Sequence, residues 1–382
     1  MLNQFYPRTT SKDATTARAD HTQTGTEEAE GISSPFTLNE LARTLASIKR
    51  KCAPGEDGVN YRVLCNLPDN QLEHLLNIIN NAWESGKIPQ EWKIASIVPI
   101  PKPGKPSDQI SSFRPISLTS CIGKVMEKMV LERLLWHIDK NECFPHTMVG
   151  FRPHVSTQEV MLRLKEDIYD PESTTQLRTI VGLDIKGAFD NVAHDAIIQK
   201  TKDLGVGGRL MRYVQDFLED RFVQVRIDDH TTPQHRVDKG VPQGAVLSPT
   251  LFSIAMKDLP NRLQSIPTLK HAIYADDITL WCNTGSPAQQ EETIQKGIDA
   301  VHQYTGELGL TCSREKSEYI VVTNATGRKA EDTRNYINLN IANVPIERRN
   351  SIRILGFWLQ DNGKWNVWLT RLTVQIQQIY HM

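Results

Sequence analysis

Two adjacent aspartates, Asp276 and Asp277, are the residues of this sequence best suited to chemistry. They lie between two runs of β-branched and aromatic residues, Ile273-Tyr274 and Ile278-Thr279-Leu280-Trp281. Such runs favour strands, so the aspartates are predicted at the tip of a β-hairpin. A turn lets both carboxylates lean toward one site, and carboxylate oxygen is a donor that Mg²⁺ prefers. Because aspartate is also common in plain solvated turns, the pair alone leaves both interpretations open.

A third acidic residue, Asp184, ends the apolar run that starts at Thr179. This run is apolar on both faces, which predicts a buried strand in the interior of a sheet. If that strand is a neighbour of the hairpin, three carboxylates meet at one place. Such a cluster suits two Mg²⁺ ions roughly 3.5–4 Å apart, the arrangement used for in-line phosphoryl or nucleotidyl transfer. A strand-end aspartate by itself is more often structural.

Length and charge set broad limits on the class of protein. At 382 residues the chain is long enough for an enzyme with two or more lobes. Its formal net charge of −1 does not indicate nucleic-acid binding, so any basic surface must be local. The six cysteines are scattered without a CxxC pair, which argues against a zinc site or a disulfide framework and predicts free thiols.

No segment of the sequence predicts a membrane-spanning or secreted protein. The apolar runs are much shorter than the roughly 20 residues that span a bilayer, and the first residues are polar. We therefore expect a soluble, intracellular protein without a membrane partner. The sequence does not distinguish nucleus from cytoplasm and leaves the oligomeric state unknown.

The chain alternates helical and strand patterns, which predicts an α+β fold with a mixed central sheet. Residues 1–35 are rich in small and polar types and are interpreted as a flexible linker. A capping box, Thr37-x-x-Glu40, predicts the first helix, and Ser248 is predicted to be the N-cap of a later one. Residues 353–359 are predicted to form one strand. A helix that starts at Trp365 has no terminating signal, which we interpret as a truncation.

Several motifs in one order carry a family resemblance. They are Lys102, Phe113-Arg114-Pro115-Ile116-Ser117-Leu118, Gly150-Phe151-Arg152-Pro153, Leu183-Asp184-Ile185-Lys186-Gly187-Ala188-Phe189-Asp190, Gly240-Val241-Pro242-Gln243-Gly244-Ala245-Val246-Leu247-Ser248-Pro249 and Tyr274-Ala275-Asp276-Asp277. In this order the chain resembles reverse transcriptases of non-LTR (LINE-type) retrotransposons, over roughly residues 53–359. Against the turn Pro-Gly-Pro-Asp-Gly common in relatives, this chain has Pro54-Gly55-Glu56-Asp57-Gly58.

The resemblance implies a right-hand polymerase with fingers and palm, the palm being an antiparallel or mixed sheet packed by helices. A helical extension is expected at residues 36–82 and the reverse transcriptase domain at 83–359, with fingers to about 175 and palm from about 176. Residues 360–382 would begin a truncated thumb. The endonuclease segment of the family is missing from the chain, so a fragment of a longer polyprotein is expected.

The resemblance also implies roles for single residues. Asp184, Asp276 and Asp277 match the catalytic aspartates and metal ligands, with the Ile185 carbonyl as a further ligand. Lys102 and Arg114 would hold the incoming triphosphate, a task suited to an ammonium and a bidentate guanidinium. Gln243 and Gly244 match the loop against the nucleotide.

Three assignments keep a second interpretation. Phe189 is expected to be the steric gate that excludes a ribose 2′-hydroxyl, or else a core aromatic residue. Lys316 resembles the lysine that protonates pyrophosphate, or is an ordinary surface lysine. Gly356-Phe357-Trp358 resembles the primer grip, or is part of a core strand. His194 is interpreted as structural.

The implied function is RNA-directed DNA polymerisation. A primer 3′-hydroxyl would be extended with dNTPs on an RNA template, with a DNA primer or target, two Mg²⁺ ions and Mn²⁺ as the alternative ion. Two other hypotheses stay open. One is a non-catalytic fragment or domesticated palm that binds nucleic acid. The other is an RNA-dependent RNA polymerase, whose first motif also fits the spacing of Asp184 and Asp190, although Phe189 and Ala275 argue against it.

Overall fold

A computed structural model describes residues 31–49, 51–106, 108–152, 155–169, 177–227 and 230–364. The predicted linker up to residue 30 and the helix predicted from Trp365 lie outside these residues. Residues 31–35, which the sequence assigned to the linker, are packed: Ile32 is buried, and Trp83 Nε1 donates to the carbonyls of Ser33 and Ser34 at 3.3 and 3.0 Å. Among the described residues, packing therefore includes positions before the predicted boundary at residue 36.

Helices and strands alternate through the described residues, as the α+β prediction requires. The helices are α1 (Leu38–Ser47), α2 (Tyr61–Leu64), α3 (Asp69–Ser85), α4 (Gln90–Lys93), α5 (Cys121–Lys140), α6 (Thr157–Leu164), α7 (Ala188–Asn191), α8 (His194–Asp203), α9 (Gly208–Leu218), α10 (Ser248–Ala255), α11 (Leu259–Gln264), α12 (Pro287–Glu307) and α13 (Gly327–Arg334), with a 3₁₀ turn at Ile110–Ser112 and a π-helical turn at Lys165–Tyr169. The strands are β1 (Ile94–Pro101), β2 (Phe113–Leu118), β3 (Leu177–Asp184), β4 (Arg221–Ile227), β5 (His230–Thr231), β6 (His235–Val237), β7 (Lys270–Tyr274), β8 (Asp277–Cys282), β9 (Glu318–Thr323), β10 (Asn340–Ile341), β11 (Val344–Pro345), β12 (Glu347–Arg348), β13 (Ser351–Ile354) and β14 (Phe357–Gln360).

These elements form two compact units, each made of separate stretches of chain. The first unit comprises the described residues up to Cys143 together with Phe189–Ala255. The second comprises Phe144–Ala188 and the described residues from Met256 onward. The chain therefore passes between the units more than once, and neither unit is a continuous segment.

The first unit is built on a mixed sheet. Strand β1 pairs antiparallel with β2 and parallel with β4, and β4 pairs antiparallel with β5 and β6. Ala95, Ile97, Val223 and Val225 form the buried apolar cluster of this sheet. The long helix α5 has buried residues around most of its circumference, which is typical of a helix inside the core.

The second unit is built on a five-stranded sheet in the order β12-β9-β3-β8-β7. Strand β3 lies in the middle and pairs antiparallel with both β8 and β9. Its first five residues are all buried, because neighbours cover both edges and packing covers both faces. Helix α12 packs on the sheet through Ile294, Ile298 and Val301, which are spaced three and four apart.

Two predictions about helix N-termini have clear outcomes. The capping box at Thr37 is confirmed, since Glu40 N donates to Thr37 Oγ1 and Thr37 N donates to the Glu40 carboxylate. The N-cap prediction for Ser248 is wrong, because Ser248 is the first helical residue and its hydroxyl is buried without a partner. The Glu127 carboxylate instead accepts from Val246 N and Leu247 N at 2.7 and 3.2 Å, just before α10.

The single strand predicted at residues 353–359 is also wrong. The chain turns at Leu355 and Gly356, both at positive φ (47° and 93°), so that β13 and β14 form a hairpin. Within the described part of the chain, every helix is too short or too polar to cross a bilayer. The six cysteines are free thiols, as predicted.

Candidate active site

The Tyr274-Ala275-Asp276-Asp277 motif forms a tight β-hairpin, as predicted. Strand β7 ends at Tyr274, β8 begins at Asp277, and those two residues are paired across the ladder. The loop therefore consists of Ala275 and Asp276. Ala275 has a φ of 54°, which matches the positive φ that two-residue hairpin turns require at their first position.

Strand register places Asp184 directly opposite Asp277. Asp184 N donates to Ser317 Oγ at 3.3 Å, and the Asp184 carbonyl accepts from Ser313 N at 2.7 Å, so both backbone groups face the segment that leads into β9 and point away from β8. Asp184 and Asp277 are thus a non-hydrogen-bonded antiparallel pair, the type with Cα atoms about 4.5 Å apart and side chains on one face. Two of the three predicted carboxylates are therefore cross-strand neighbours, and the third lies in the adjoining turn.

The segment from Thr311 to Ser317 holds the end of β3. Lys186 N donates to the Thr311 carbonyl at 2.8 Å, and Ile185 pairs with Cys312 between the two flanking hydrogen bonds. In such an antiparallel arrangement the N–H and C=O of Ile185 point away from Cys312. The Ile185 carbonyl is consequently directed to the β8 side of the ladder.

Lys316 lies at the site and forms an ion pair with Asp184. Its Nζ donates to Asp184 Oδ2 at 2.9 Å, while 61% of the lysine side chain stays exposed. The sequence had left Lys316 open between a role in proton transfer and an ordinary surface position. The structure places its ammonium against a predicted catalytic carboxylate.

Burial and mutual repulsion disfavour charge on the hairpin acids. Desolvation raises the pKa of Asp276, and the Asp184 carboxylate raises it further. Although the Asp277 side chain is partly exposed, desolvation followed by repulsion from Asp276 and Asp184 raises its pKa to about 6. Lys316 opposes both shifts. A bound cation would remove this electrostatic cost, which is the behaviour expected of metal ligands.

The donor set predicted from the sequence fits a hard divalent cation in type. It consists of three carboxylates and one backbone carbonyl, all oxygen. Among the described residues, no three Asp, Glu, His or Cys side chains are gathered closely enough to form a complete metal-binding cluster. The Lys316 ion pair directs one oxygen of Asp184 toward the lysine.

A loop from the preceding segment supports the hairpin from the side. Ile273 N donates to the Thr147 carbonyl at 2.8 Å, and Val149 N donates to the Ile273 carbonyl at 2.9 Å. Gly150 then lies so close that an added Cβ would be 2.7 Å from Ala275 N. Arg152 Nη1 donates to the carbonyls of Phe144 and Pro145 at 3.3 and 3.1 Å. The Gly150-Phe151-Arg152 motif is therefore a structural support, and Pro153 lies outside the described residues.

In the first unit, the predicted triphosphate ligands share one hairpin. Arg114 is an exposed residue of β2 paired with Ile100, and Lys102 follows β1 directly. Lys102 N donates to the Ser112 carbonyl at 2.7 Å, which fixes the lysine backbone next to the start of β2. The two cationic residues are thus held near the same end of the β1–β2 hairpin.

The predicted nucleotide loop packs on the first turn after β3. Gly240 N donates to the Val192 carbonyl at 2.8 Å, and Val241 N donates to the Phe189 carbonyl at 2.6 Å. The half-buried Phe189 ring stacks on Phe252 with 5.0 Å between ring centroids, so Phe189 has both core and surface character. His194 Nε2 contacts the Gly240 carbonyl at 2.7 Å, so its ring is a further contact to the backbone of this loop.

The end of this loop is bound to β2. Ser117 N donates to the Gln243 carbonyl at 2.8 Å, and Gly244 has a φ of 108° that favours glycine. A Cβ at Gly244 would also lie 3.2 Å from the Ser117 carbonyl. The close approach of loop and strand therefore explains the glycine without invoking a ligand.

Comparison with known proteins decides the family. Residues 100–359 match the family described as reverse transcriptase (RNA-dependent DNA polymerase). The chain belongs to the reverse transcriptase family. Members of this family act on an RNA template with divalent metal ions. The match confirms the family and the α+β fold predicted from the sequence.

The most similar proteins include polymerases of mobile elements. The chain is 33% identical over 298 residues to the RNA-directed DNA polymerase from mobile element jockey of Drosophila melanogaster, covering 77% of this chain and 32% of that protein. It is 34% identical over 266 residues to the probable RNA-directed DNA polymerase from transposon BS of the same species, covering 67% and 29%. The chain thus spans about a third of the length of these relatives. Among solved structures, apo telomerase from Candida tropicalis, truncated from its C-terminal domain, aligns with a TM-score of 0.48 at 12% identity, covering 79% of this chain and 59% of that chain.

Sequence reasoning missed three contacts, two in the second unit and one in the first. Ser317 accepts from Asp184 N, Gly150 abuts the aspartate turn, and Asp190 binds the side chain of Gln243. Gly150 and Asp190 lie inside motifs that carried the resemblance, so their positions were visible although their contacts were not. Ser317 follows Lys316 directly and had no signal of its own.

The acidic hairpin predicts a pH dependence of stability for the metal-free reverse transcriptase. The pKa of Asp277 rises from its ordinary 3.8 to about 6 in the folded state, so the folded state binds more protons than the unfolded state between these values. Stability that is present below about pH 4 is therefore lost as the pH rises through 6. In EDTA, we expect Asp277→Asn to melt at a higher temperature than wild type at pH 7.5 and at the same temperature near pH 4. A melting difference that is constant across this range would contradict the assignment.

Proposed function

We propose that this chain is the RNA-directed DNA polymerase domain of a non-LTR retrotransposon, extending a primer 3′-hydroxyl with dNTPs on an RNA template. The observation that carries the proposal is the cross-strand pair of Asp184 and Asp277 with Asp276 in the adjoining turn, in a member of the reverse transcriptase family. A DNA primer or target and the template RNA are the macromolecular partners.

Four groups of the second unit would hold the metal ions. They are the carboxylates of Asp184, Asp276 and Asp277 and the carbonyl of Ile185. Bound there, two Mg²⁺ ions, or Mn²⁺ in their place, supply Lewis acidity for in-line nucleotidyl transfer. The raised pKa values of both hairpin acids support this assignment, because a cation relieves the repulsion that raises them.

The remaining residues bind and orient the substrates. Lys102 and Arg114 bind the triphosphate as a point charge and a planar fork of donors. Phe189 excludes a 2′-hydroxyl, and Gln243 with Gly244 forms the loop against the nucleotide. Lys316 Nζ exchanges its ion pair with Asp184 for the departing pyrophosphate and gives it a proton.

Nucleotide selection tests the proposal. On a primed RNA template with Mg²⁺, wild type is expected to incorporate dNTPs in preference to rNTPs. Phe189→Ala is expected to lower this preference roughly 100-fold, the scale on which an apolar pocket rejects an added hydroxyl. The measurement is kcat/KM for dCTP and for CTP, which differ only in the 2′-hydroxyl.

Phe189→Leu serves as the control for lost packing on Phe252, because it keeps most of the apolar bulk; we expect it to retain most of the selectivity. Preference of wild type for rNTPs would favour the RNA polymerase hypothesis. Primer–template binding without incorporation of either nucleotide would favour the non-catalytic hypothesis.

A further inference from the structure

The side chain of Gln243 is bound by a neighbouring carboxylate. Gln243 Nε2 donates to Asp190 Oδ1 at 2.9 Å and to Asp190 Oδ2 at 2.8 Å. Asp190 is the residue after Phe189, in helix α7, and is half-buried. One side chain of the loop is thus fixed by a group from a different element of the same unit.

This contact determines which end of the amide faces outward. The pKa of Asp190 is raised to about 6, because the effect of desolvation is larger than the opposing effects of the Gln243 hydrogen bond and the Lys102 charge. At pH 7.5 the group is therefore ionised and accepts hydrogen bonds without donating any. The amide nitrogen must face Asp190, so the Oε1 atom of Gln243 is turned away from it.

The contact is not required to hold the loop itself. The loop backbone is already fixed by the bonds from Gly240 N to Val192, from Val241 N to Phe189, and from Ser117 N to Gln243. His194 adds a fourth contact at the Gly240 carbonyl. What Asp190 adds is the orientation of one side chain, which backbone bonds leave free to rotate.

We propose that Asp190 is a positioning residue that presents Gln243 Oε1 as a hydrogen-bond acceptor to the incoming nucleotide. The inference rests on the proposed function, since it takes Gln243 as a nucleotide contact. A nucleotide bound in this way offers Gln243 a donor group, a hydroxyl or an amine.

Steady-state kinetics of the full chain with saturating primer–template and varied dNTP test the role at pH 7.5. Asp190→Asn keeps the size of the side chain but presents both a donor and an acceptor, so it no longer fixes the amide. We expect the KM for dNTP to rise roughly 10-fold, the scale of one charge-assisted hydrogen bond, with kcat within about twofold. In a Gln243→Ala background, the same substitution is expected to change KM by less than about twofold, because the group it positions is gone.

His194→Phe is the matched control, because it removes a contact to the backbone of the same loop. It is expected to lower the melting temperature while leaving the KM for dNTP within about twofold of wild type. An unchanged KM in Asp190→Asn overturns the inference, and so does a rise that persists without the Gln243 side chain. If wild type incorporates dNTPs and Asp190→Asn does so with the same KM, only this inference fails. If wild type incorporates none, the proposed function fails and the inference falls with it.

Discussion

Replacement of Asp276 by Asn is expected to reduce dNTP incorporation by roughly 1,000-fold or more, because it removes a proposed metal ligand, and bound metal ions of this kind stabilise the transition state by several kcal/mol. Asn keeps the shape of the side chain and the two-residue turn. Without metal, the variant should be at least as stable as wild type, since burial and the Asp184 carboxylate raise the pKa of Asp276 and disfavour its charge. Single-nucleotide extension and thermal melting in EDTA measure the two effects.

Asp167→Asn is the matched control for this substitution. Asp167 binds β7 and β8 at the end of the hairpin away from Asp276, through Lys270 Nζ and through Trp281 Nε1 at 2.8 Å. Its replacement should lower the melting temperature and leave incorporation within a few-fold of wild type. Undiminished synthesis by Asp276→Asn would show that Asp276 is not a metal ligand, and the proposed mechanism would have to be abandoned.

Gly150→Ala is expected to lower dNTP incorporation by roughly 100-fold without touching a predicted catalytic residue. The new Cβ would lie 2.7 Å from Ala275 N and 3.2 Å from the backbone of Tyr274, so the turn that carries Asp276 must move. The loop that contains Gly150 cannot move away easily, because it is hydrogen-bonded to both the N–H and the carbonyl of Ile273. A displacement of about 1 Å at a catalytic group is enough for an effect of this size.

The same substitution should lower the free energy of unfolding by about 1–3 kcal/mol, the usual cost of overpacking. Gly182→Ala is the control, because Gly182 lies two residues before Asp184 in β3 and a Cβ there would be 3.9 Å from the nearest atom, the Glu318 carbonyl oxygen. That variant is expected to keep both activity and stability. Full activity of Gly150→Ala would show that the turn is not held as tightly as the contacts indicate.

Local sequence patterns predicted the elements that carry the acids. The run of β-branched and aromatic residues around Asp276 and Asp277 specified a hairpin, and the apolar run before Asp184 specified a buried strand. Both features follow from neighbouring residues, so periodicity and turn chemistry were sufficient. That these strands are neighbours came from the family resemblance, because pairing between distant segments leaves no local signal.

Contacts between distant side chains could not be predicted. The bond from Gln243 to Asp190 and the approach of Gly150 to Ala275 depend on the folded arrangement of separate segments. The hairpin of β13 and β14 is a different case. Gly356 inside an apolar run was an available signal for a turn, and the strand propensity of the flanking residues outweighed it in the prediction.

The position of β3 in its sheet has a consequence for biosynthesis. Both of its neighbours, β8 and β9, follow later in the chain, β8 after a gap of roughly 90 residues, or on the order of 5–20 s of translation. During that interval the apolar segment that forms β3 has been synthesised, but neither of the strands that pair with its two edges has. Nascent chains of this protein should therefore depend on chaperones and aggregate when translation stalls between the two segments.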